Sequence, residues 1–355
     1  MLKDYWFFAL EFYNFGVRFI MIKKVLLVGT LPPPIGGISV HLQRFINYSS
    51  EVGRNYAVLD LKKHRLFNAN RSSSSFFEMW RYFIEAKIVH LHISNLAKIF
   101  FAVFFRLVGK KVVYTHHNSV INNPLFFRAL CNLCHFIIFV NSSSVPKFIR
   151  DSSFQGRWAV LPAFIPPSLD ETKIPNWLDE ELNGYDNVIS TNCHRLSYID
   201  GEEVYGFDII LKAYSDLDKH GAIRNTIFVL LDPSNSYQQV VGLIDLPESA
   251  YGNRLLYLGG LDISFVALLR RSTFSIRATR TDGDSLSVRE SLYLQVPVVA
   301  SDIVVRPDGV RLFRSGSSED LARVILDELD DGAVYSVQPF NCAESLFEIY
   351  DELGK

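Results

Sequence analysis

Short, branched apolar runs recur along this chain with room for a helix between each pair, and they do so in two separate sets. The first set is "KKVLLVG" (23–29), "YAVLDL" (56–61), "IVHLHI" (88–93), "KVVYTHH" (111–117) and "FIIFVNS" (136–142), with helical stretches such as "LAKIFFAVFFRLVG" (96–109) between them. Runs of this kind suit strands buried on both faces, and strands alternating with helices make a parallel sheet that the helices cover. "LPAFIPPSLDETKIPNW" (161–177) breaks the pattern with four prolines and marks a linker. A second set follows: "NVIST" (187–191), a helix over 206–217, "TIFVLL" (226–231), "RLLYLGG" (254–260), a helix over 263–272, "FSIRAT" (274–279), a helix after Ser285, "VPVVASD" (296–302) and a last helix over 343–354. A chain of 355 residues suits two domains of roughly 150 each. The expected fold class is therefore α/β, with two Rossmann-like, doubly wound halves facing across a cleft and ligand held at the carboxyl ends of the strands. The expected boundaries are a leader over 1–20, a first half over 21–165, a linker over 166–186, a second half over 187–340 and a closing helix over 341–355 able to pack back on the first half.

Composition narrows the function classes. Hydrophobic residues make up 48% and charged residues 21%, which excludes wholesale disorder. The net charge is −2, with 36 basic against 38 acidic residues, so no overall basic excess argues for nucleic acid. Cys131 and Cys134 form a CxxC in "ALCNLCHF", but the flanks are apolar and helical and no second pair follows, so buried core thiols are expected. Reduced thiols suit the cytoplasm. The leader "MLKDYWFFALEFYNFGVRFI" is rich in aromatics but interrupted by Asp4, Glu11 and Arg18, which suits a membrane interface better than a bilayer span; alternatively the functional start is Met21.

Two stretches carry candidate chemistry. In "LPPPIGG" (31–37) three prolines precede Gly36 and Gly37, which open a helix from about Ser39 after the first strand. In "RTDGDSLSVRE" (280–290) Asp284 or Ser285 is the candidate N-cap of a helix beginning at Leu286. The free amides of Leu286 and Ser287 would carry partial positive charge and suit phosphate oxygens. Gly283 would let a ligand approach the backbone, while Asp282 and Glu290 place two carboxylates on either side. Asp and Ser also precede ordinary surface helices, so this stretch alone leaves both readings open.

The longer segment "RATRTDGDSLSVRESLYLQVPVVASD" (277–302) resembles the donor-binding signature of retaining GT-B glycosyltransferases of the glycogen-synthase-like, bacterial polysaccharide (group 1) type. Gly283, Glu290, Pro297, Val298, Ala300, Ser301 and Asp302 match it, whereas Asp282 stands at the first glutamate, Ser285 at the second glycine and Gln295 at the glycine before the strand. The resemblance implies a GT-B fold in which Glu290 holds the ribose hydroxyls, Asp282 holds sugar hydroxyls, and the amides of Leu286 and Ser287 hold the diphosphate. It further implies that Gly36 and Gly37 approach the donor phosphate and that His117, or else His116, faces the transferred sugar. His90 and His92 are read as core histidines. Arg195 and Leu196 match a "G-R-L" motif whose arginine neutralises the diphosphate. The lysine expected further on is Tyr205, before Gly206, so one positive charge is missing, and Arg277, Arg280 or Arg306 is expected to supply it.

The function implied is transfer of a sugar, with retention, from a nucleotide sugar to a glycan acceptor, with His117, Asp282 and Arg195 as catalytic candidates. No metal or other cofactor is expected, because the arginines and the helix end stand where a metal would. The acceptor implied is a polyprenyl-diphosphate-linked oligosaccharide at the inner face of the cytoplasmic membrane, as in O-antigen, capsule or exopolysaccharide assembly. "KIFFAVFFRLVGKK" (98–111), with Phe100, Phe101, Phe104 and Phe105 beside Lys98, Arg106, Lys110 and Lys111, is a candidate membrane-surface helix. A sugar-nucleotide epimerase or hydrolase on the same architecture, and a non-catalytic GT-B partner subunit, are the alternatives.

Overall fold

A computed structural model describes residues 25–355, apart from 34–35, 69–70, 74, 119–120, 122, 152–153, 169, 240–248 and 332–339; the leader over 1–20 lies outside the described residues. The first half carries β1 (Val25–Gly29), β2 (Ala57–Asp60), β3 (Arg65–Asn68), β4 (Arg71–Ser73), β5 (Ile88–Leu91), β6 (Lys111–His116), β7 (Phe136–Phe139) and β8 (Arg157–Val160). Their order is β4-β3-β2-β1-β5-β6-β7-β8. The pairs from β2 through β1 to β8 are parallel, and β3 and β4 add an antiparallel edge. The second half carries β9 (Asn187–Asn192), a small hairpin of β10 (Tyr198–Ile199) and β11 (Glu202–Glu203), then β12 (Thr226–Asp232), β13 (Arg254–Gly259), β14 (Phe274–Arg277), β15 (Val298–Ser301) and β16 (Val310–Phe313). Its sheet runs β13-β12-β9-β14-β15-β16 and is parallel throughout.

The central strands match the apolar runs because each is buried on both faces: β1, β5, β7, β12 and β15 expose no residue. The differences lie where that signal fades. Arg71–Ser73 is an edge strand without any apolar run in its sequence, and β8 is half exposed with the mixed pattern Arg-Trp-Ala-Val. Within 166–186, expected to be a linker, Asn176–Leu182 is a helix. Its Leu178 and Leu182 are fully buried against Val188, Ile227 and Val229 of the second half. Pro175 precedes that helix and is compatible with a helix start, so the proline count conceals it.

The closing helix Cys342–Gly354 buries Leu346, Phe347, Tyr350 and Leu353 among Val25, Phe45, Tyr56 and Val58 of the first half. Asn341 caps it by accepting from the Ala343 amide at 3.0 Å. On the opposite face of the first sheet, the helices Phe76–Glu85, Ala97–Leu107 and Pro124–Leu133 share one core cluster. Cys131 is buried there, its thiol pushed up to about 12 by burial. The outer surface of these helices exposes Phe77, Trp80, Ile84, Phe100, Phe104, Leu107, Leu125 and Phe126.

Candidate nucleotide-sugar site

The carboxyl ends of both sheets converge on a cleft of about 590 Å³. From the first half it is lined by Gly36 and Gly37 after β1, His117 after β6 and Val140 after β7. From the second half it is lined by Asn192 and His194 at the end of β9, Leu231 and Pro233 at β12, and Arg277 with residues 282–287 and Glu290 after β14. Thus Gly36, Gly37, His117, Arg277, Asp282, Gly283, Ser285, Leu286, Ser287 and Glu290, spread over 255 positions of sequence, meet at one cleft.

The helix Leu286–Tyr293 begins as expected, with Ser285 at the N-cap in extended conformation. The Ser285 side chain does not cap it and instead pairs with the Ser287 hydroxyl at 3.1 Å. The first turn therefore presents its polarised amides to the cleft without an internal side-chain acceptor. Asp284 ties this loop to the first half: its carboxylate accepts from the Ala163 amide at 3.1 Å and also from Arg289. Gly283 also meets the first half, since a Cβ there would stand 3.2 Å from the His117 carbonyl oxygen. Gly36 and Gly37 have open surroundings: a Cβ at Gly36 would lie 3.9 Å from His194 and one at Gly37 would meet nothing within 4 Å.

Asp282 is the centre of the charge arrangement. Its carboxylate accepts from Arg277 Nε at 3.1 Å and Nη2 at 3.3 Å, Arg306 Nη1 at 2.8 Å, Thr279 Oγ1 at 3.2 Å and the Gly283 amide at 3.1 Å. Burial works against its ionisation, but the Arg277 and Arg306 guanidiniums outweigh it and hold the carboxyl below its ordinary range. A carboxylate has about four lone-pair directions, so a sugar hydroxyl would have to displace one of these donors. Arg277 lies 5.4 Å over the ring of Tyr205, the residue standing where the resemblance expects a lysine. A positive charge thus occupies that neighbourhood from a different strand, and both Arg277 and Tyr205 line the cleft.

The other candidates lie elsewhere. Arg306 is buried behind Asp282, its Nε donating to the Ser301 carbonyl at 3.1 Å. Arg280 faces away from the cleft and binds Asp208 at 2.8 and 2.7 Å and the Glu203 carbonyl at 2.7 Å. Arg195 is exposed and does not line the cleft, although its neighbours Asn192, Cys193 and His194 do. His117 reaches the cleft, whereas His116 is buried against Phe127 and Phe139 with its Nδ1 3.2 Å from the Tyr114 hydroxyl. Burial, reinforced by His41, keeps His117 neutral well below the usual histidine range. Its Nε2 lies 3.0 Å from His92 Nδ1, and His90 is satisfied by Tyr350 and Thr115, so both strand histidines are built into the first half.

Sequence reasoning missed Arg44, Glu171 and Asn192. Arg44, on the buried face of the helix Gly37–Glu51, pairs at 2.6 Å with Glu290 of the second half and at 2.6 Å with Glu171. An arginine between Leu42 and Phe45 on an apolar helix face is the sequence signal, but its partners lie more than a hundred residues away. Asn192 Oδ1 is buried at the cleft without a hydrogen-bond partner among the described residues. Of the candidate membrane helix, Phe100 and Phe104 are exposed and Phe105 is buried, while Lys98, Lys110 and Lys111 donate to Tyr114, the Ile84 carbonyl and the Leu353 carbonyl. Among the described residues no helix is long and apolar enough to cross a membrane, and no group of three or more His, Cys, Asp or Glu is arranged to hold a metal.

No protein-family model matches this sequence, and no curated protein is detectably similar to it in sequence. Solved structures do match along nearly its whole length. Sucrose-phosphate synthase from Thermosynechococcus elongatus has a TM-score of 0.65 at 14% identity, over 94% of this chain and 99% of that one. A trehalose-6-phosphate structure from E. coli, bound with UDP-2-fluoro glucose, has a TM-score of 0.58 at 12% identity, over 93% and 95%. UDP-GlcNAc 2-epimerase from Methanocaldococcus jannaschii, in complex with UDP-GlcNAc and UDP, has a TM-score of 0.56 at 11% identity, over 93% and 99%. The chain has the GT-B fold: two parallel-sheet halves with a cleft at their carboxyl ends.

Proposed function

We propose that this protein is a glycosyltransferase that takes a sugar from a nucleotide-sugar donor, with retention of configuration, and passes it to a glycan acceptor of bacterial surface polysaccharide assembly. The observation that carries this is the second-half wall of the cleft, where an uncapped helix start, Arg277 and the Glu290 carboxylate stand together. The amides of Leu286 and Ser287 would receive the diphosphate, Arg277 would offset the charge that develops as it leaves, and Glu290 would bind the ribose diol. Asp282 would fix Arg277 in place. His117, a neutral imidazole on the opposite wall, would face the transferred sugar. With Arg277 and a helix end serving the diphosphate, no metal is required in this scheme.

Thermal shift with a panel of UDP- and GDP-sugars tests the donor. A true donor at a hundred times its dissociation constant should stabilise the chain by about 2.7 kcal/mol. Glu290→Gln should weaken that donor about 10- to 100-fold, the worth of a hydrogen bond to a charged group. Function that survives this change unaltered would favour a non-catalytic partner subunit. Two of the solved neighbours named above hold UDP-sugars, and one of them is a UDP-GlcNAc 2-epimerase, so an epimerase is the second reading. Incubation of the full chain with UDP-GlcNAc alone separates them, because an epimerase turns over its substrate without any acceptor.

The acceptor in this reading is lipid-linked and the protein works at the inner face of the cytoplasmic membrane. Support comes from the exposed apolar side chains on the three helices of the first half, two of which, Phe76–Glu85 and Ala97–Leu107, are joined by the Phe83–Phe104 contact at 5.7 Å. The full chain should sediment with anionic phosphatidylglycerol vesicles, and Phe100→Glu with Leu107→Glu should weaken this at least ~10-fold, since burying each such side chain is worth about 1.5–3 kcal/mol. A wild-type protein left in the supernatant would remove the membrane from the proposal.

A further inference from the structure

Arg44 joins three segments at one guanidinium. It stands on the first-half helix Gly37–Glu51 with its side chain 5% exposed. Its Nη2 donates at 2.6 Å to Glu290 Oε1 of the second half and at 2.6 Å to Glu171 Oε2, and its Nε donates to Glu171 at 2.9 Å. Glu171 lies in the short turn Asp170–Thr172 of the segment joining the halves. Glu290 is itself 6% exposed, lines the cleft, and has no donor to its second oxygen among the described residues. A carboxylate so enclosed is costly unless a fixed cation supports its charge.

We propose that Arg44 is a positioning residue for the nucleotide: it holds the Glu290 carboxylate with one oxygen engaged and the other offered to the ribose diol, so that the nucleoside subsite is complete only when the two halves are together. This rests on the nucleotide-sugar reading above. It makes a first-half residue, remote from the donor-binding segment in sequence, a determinant of donor affinity.

The groups facing Glu290 are Arg44, Glu171 and Arg277, with His41 one turn before Arg44 kept neutral because burial pushes it down to about 4. Burial raises the Glu290 carboxyl above its ordinary range, and Arg44 is the largest opposing influence. Without Arg44 the remaining neighbours are one guanidinium and one like charge, so Glu290 takes up its proton at a higher pH.

The test is calorimetric titration of UDP into the full chain, Arg44→Lys and Arg44→Met, at about pH 6 and about pH 8, because a carboxyl raised by burial takes up its proton first at the acid end. Each variant is compared with the wild type at the same pH, which cancels the protonation of the UDP terminal phosphate at about pH 6. Arg44→Met should lose about tenfold more affinity at the acid end than at the alkaline end, and Arg44→Lys should keep the wild-type profile. A loss equal at every pH in both variants, or no loss, would overturn the positioning role. A ligand-free arm separates this from failure of the underlying reading: melts of Arg44→Met, Glu290→Gln and the double variant should be non-additive, the double no less stable than the weaker single. Additive melts would overturn the pairing whatever UDP does. Non-additive melts in a protein that binds no UDP would overturn the nucleotide reading and, with it, the assignment of Arg44.

Discussion

Replacing Asp282 by asparagine should cost about 3–5 kcal/mol of stability, the expected penalty for removing one partner of a buried ion pair. The carboxylate faces two guanidiniums, Arg277 with its side chain 14% exposed and Arg306 with 3%, and asparagine would leave both facing each other without a counter-charge. The cost is measured by denaturant unfolding of the full chain. Arg306→Met in the same chain should return a large part of it, because it removes one of the two stranded charges. A loss below about 1 kcal/mol would show that solvent reaches the arginines. The pH dependence has a definite sign. The Asp282 carboxyl lies below its ordinary value of 3.8, so its contribution is fully present above that pH and is lost as the pH falls through its value in the folded protein. The same substitution should weaken donor binding, since Arg277 would lose the group that aims it.

Gly206→Ala should cost about 3 kcal/mol or more, combining the strain of a left-handed backbone for a residue with a Cβ, about 1–3 kcal/mol, with a backbone clash. Gly206 has φ +73, and a Cβ there would stand 2.1 Å from the Ala278 carbonyl oxygen and 2.8 Å from its carbon. Ala278 directly follows β14, which carries Arg277, so relief of the clash would move the charged wall of the cleft as well. Gly201→Ala is the control: its φ is +84 but a Cβ would meet nothing within 4 Å, so strain alone, about 1–2 kcal/mol, should remain. Equal losses at the two positions would mean that the Ala278 contact yields easily.

The fold was legible in the sequence to the extent that burial was complete. β12 is buried at all seven positions and reads as an unbroken apolar run, whereas β8 alternates Arg, Trp, Ala and Val at a half-covered edge and gives no such signal. The candidate site was legible on the side where its residues are local in sequence. Asp282, Gly283, Ser285 and Glu290 lie within nine residues, and the helix start that organises them follows from capping chemistry. The opposite wall was not legible in the same way. Arg44 and Glu290 are 246 positions apart, and neither residue type announces the other. The absence of lysine at Tyr205 was plain, but which arginine stands nearest that position needed the geometry that turns Arg280 toward Asp208 and seats Arg277 over Tyr205.

The closing helix has a consequence for how the chain matures. Val25, Phe45, Tyr56 and Val58 leave the ribosome early, yet the surface that seals them arrives with Phe347 and Tyr350, after the whole second half has been made. The nascent protein therefore carries an open apolar seam while the second half is being made, and of the two halves the one that emerges first is the one that finishes last. The two halves are interleaved along the gene, so neither can be cut out as a self-sufficient unit by a single break in the chain.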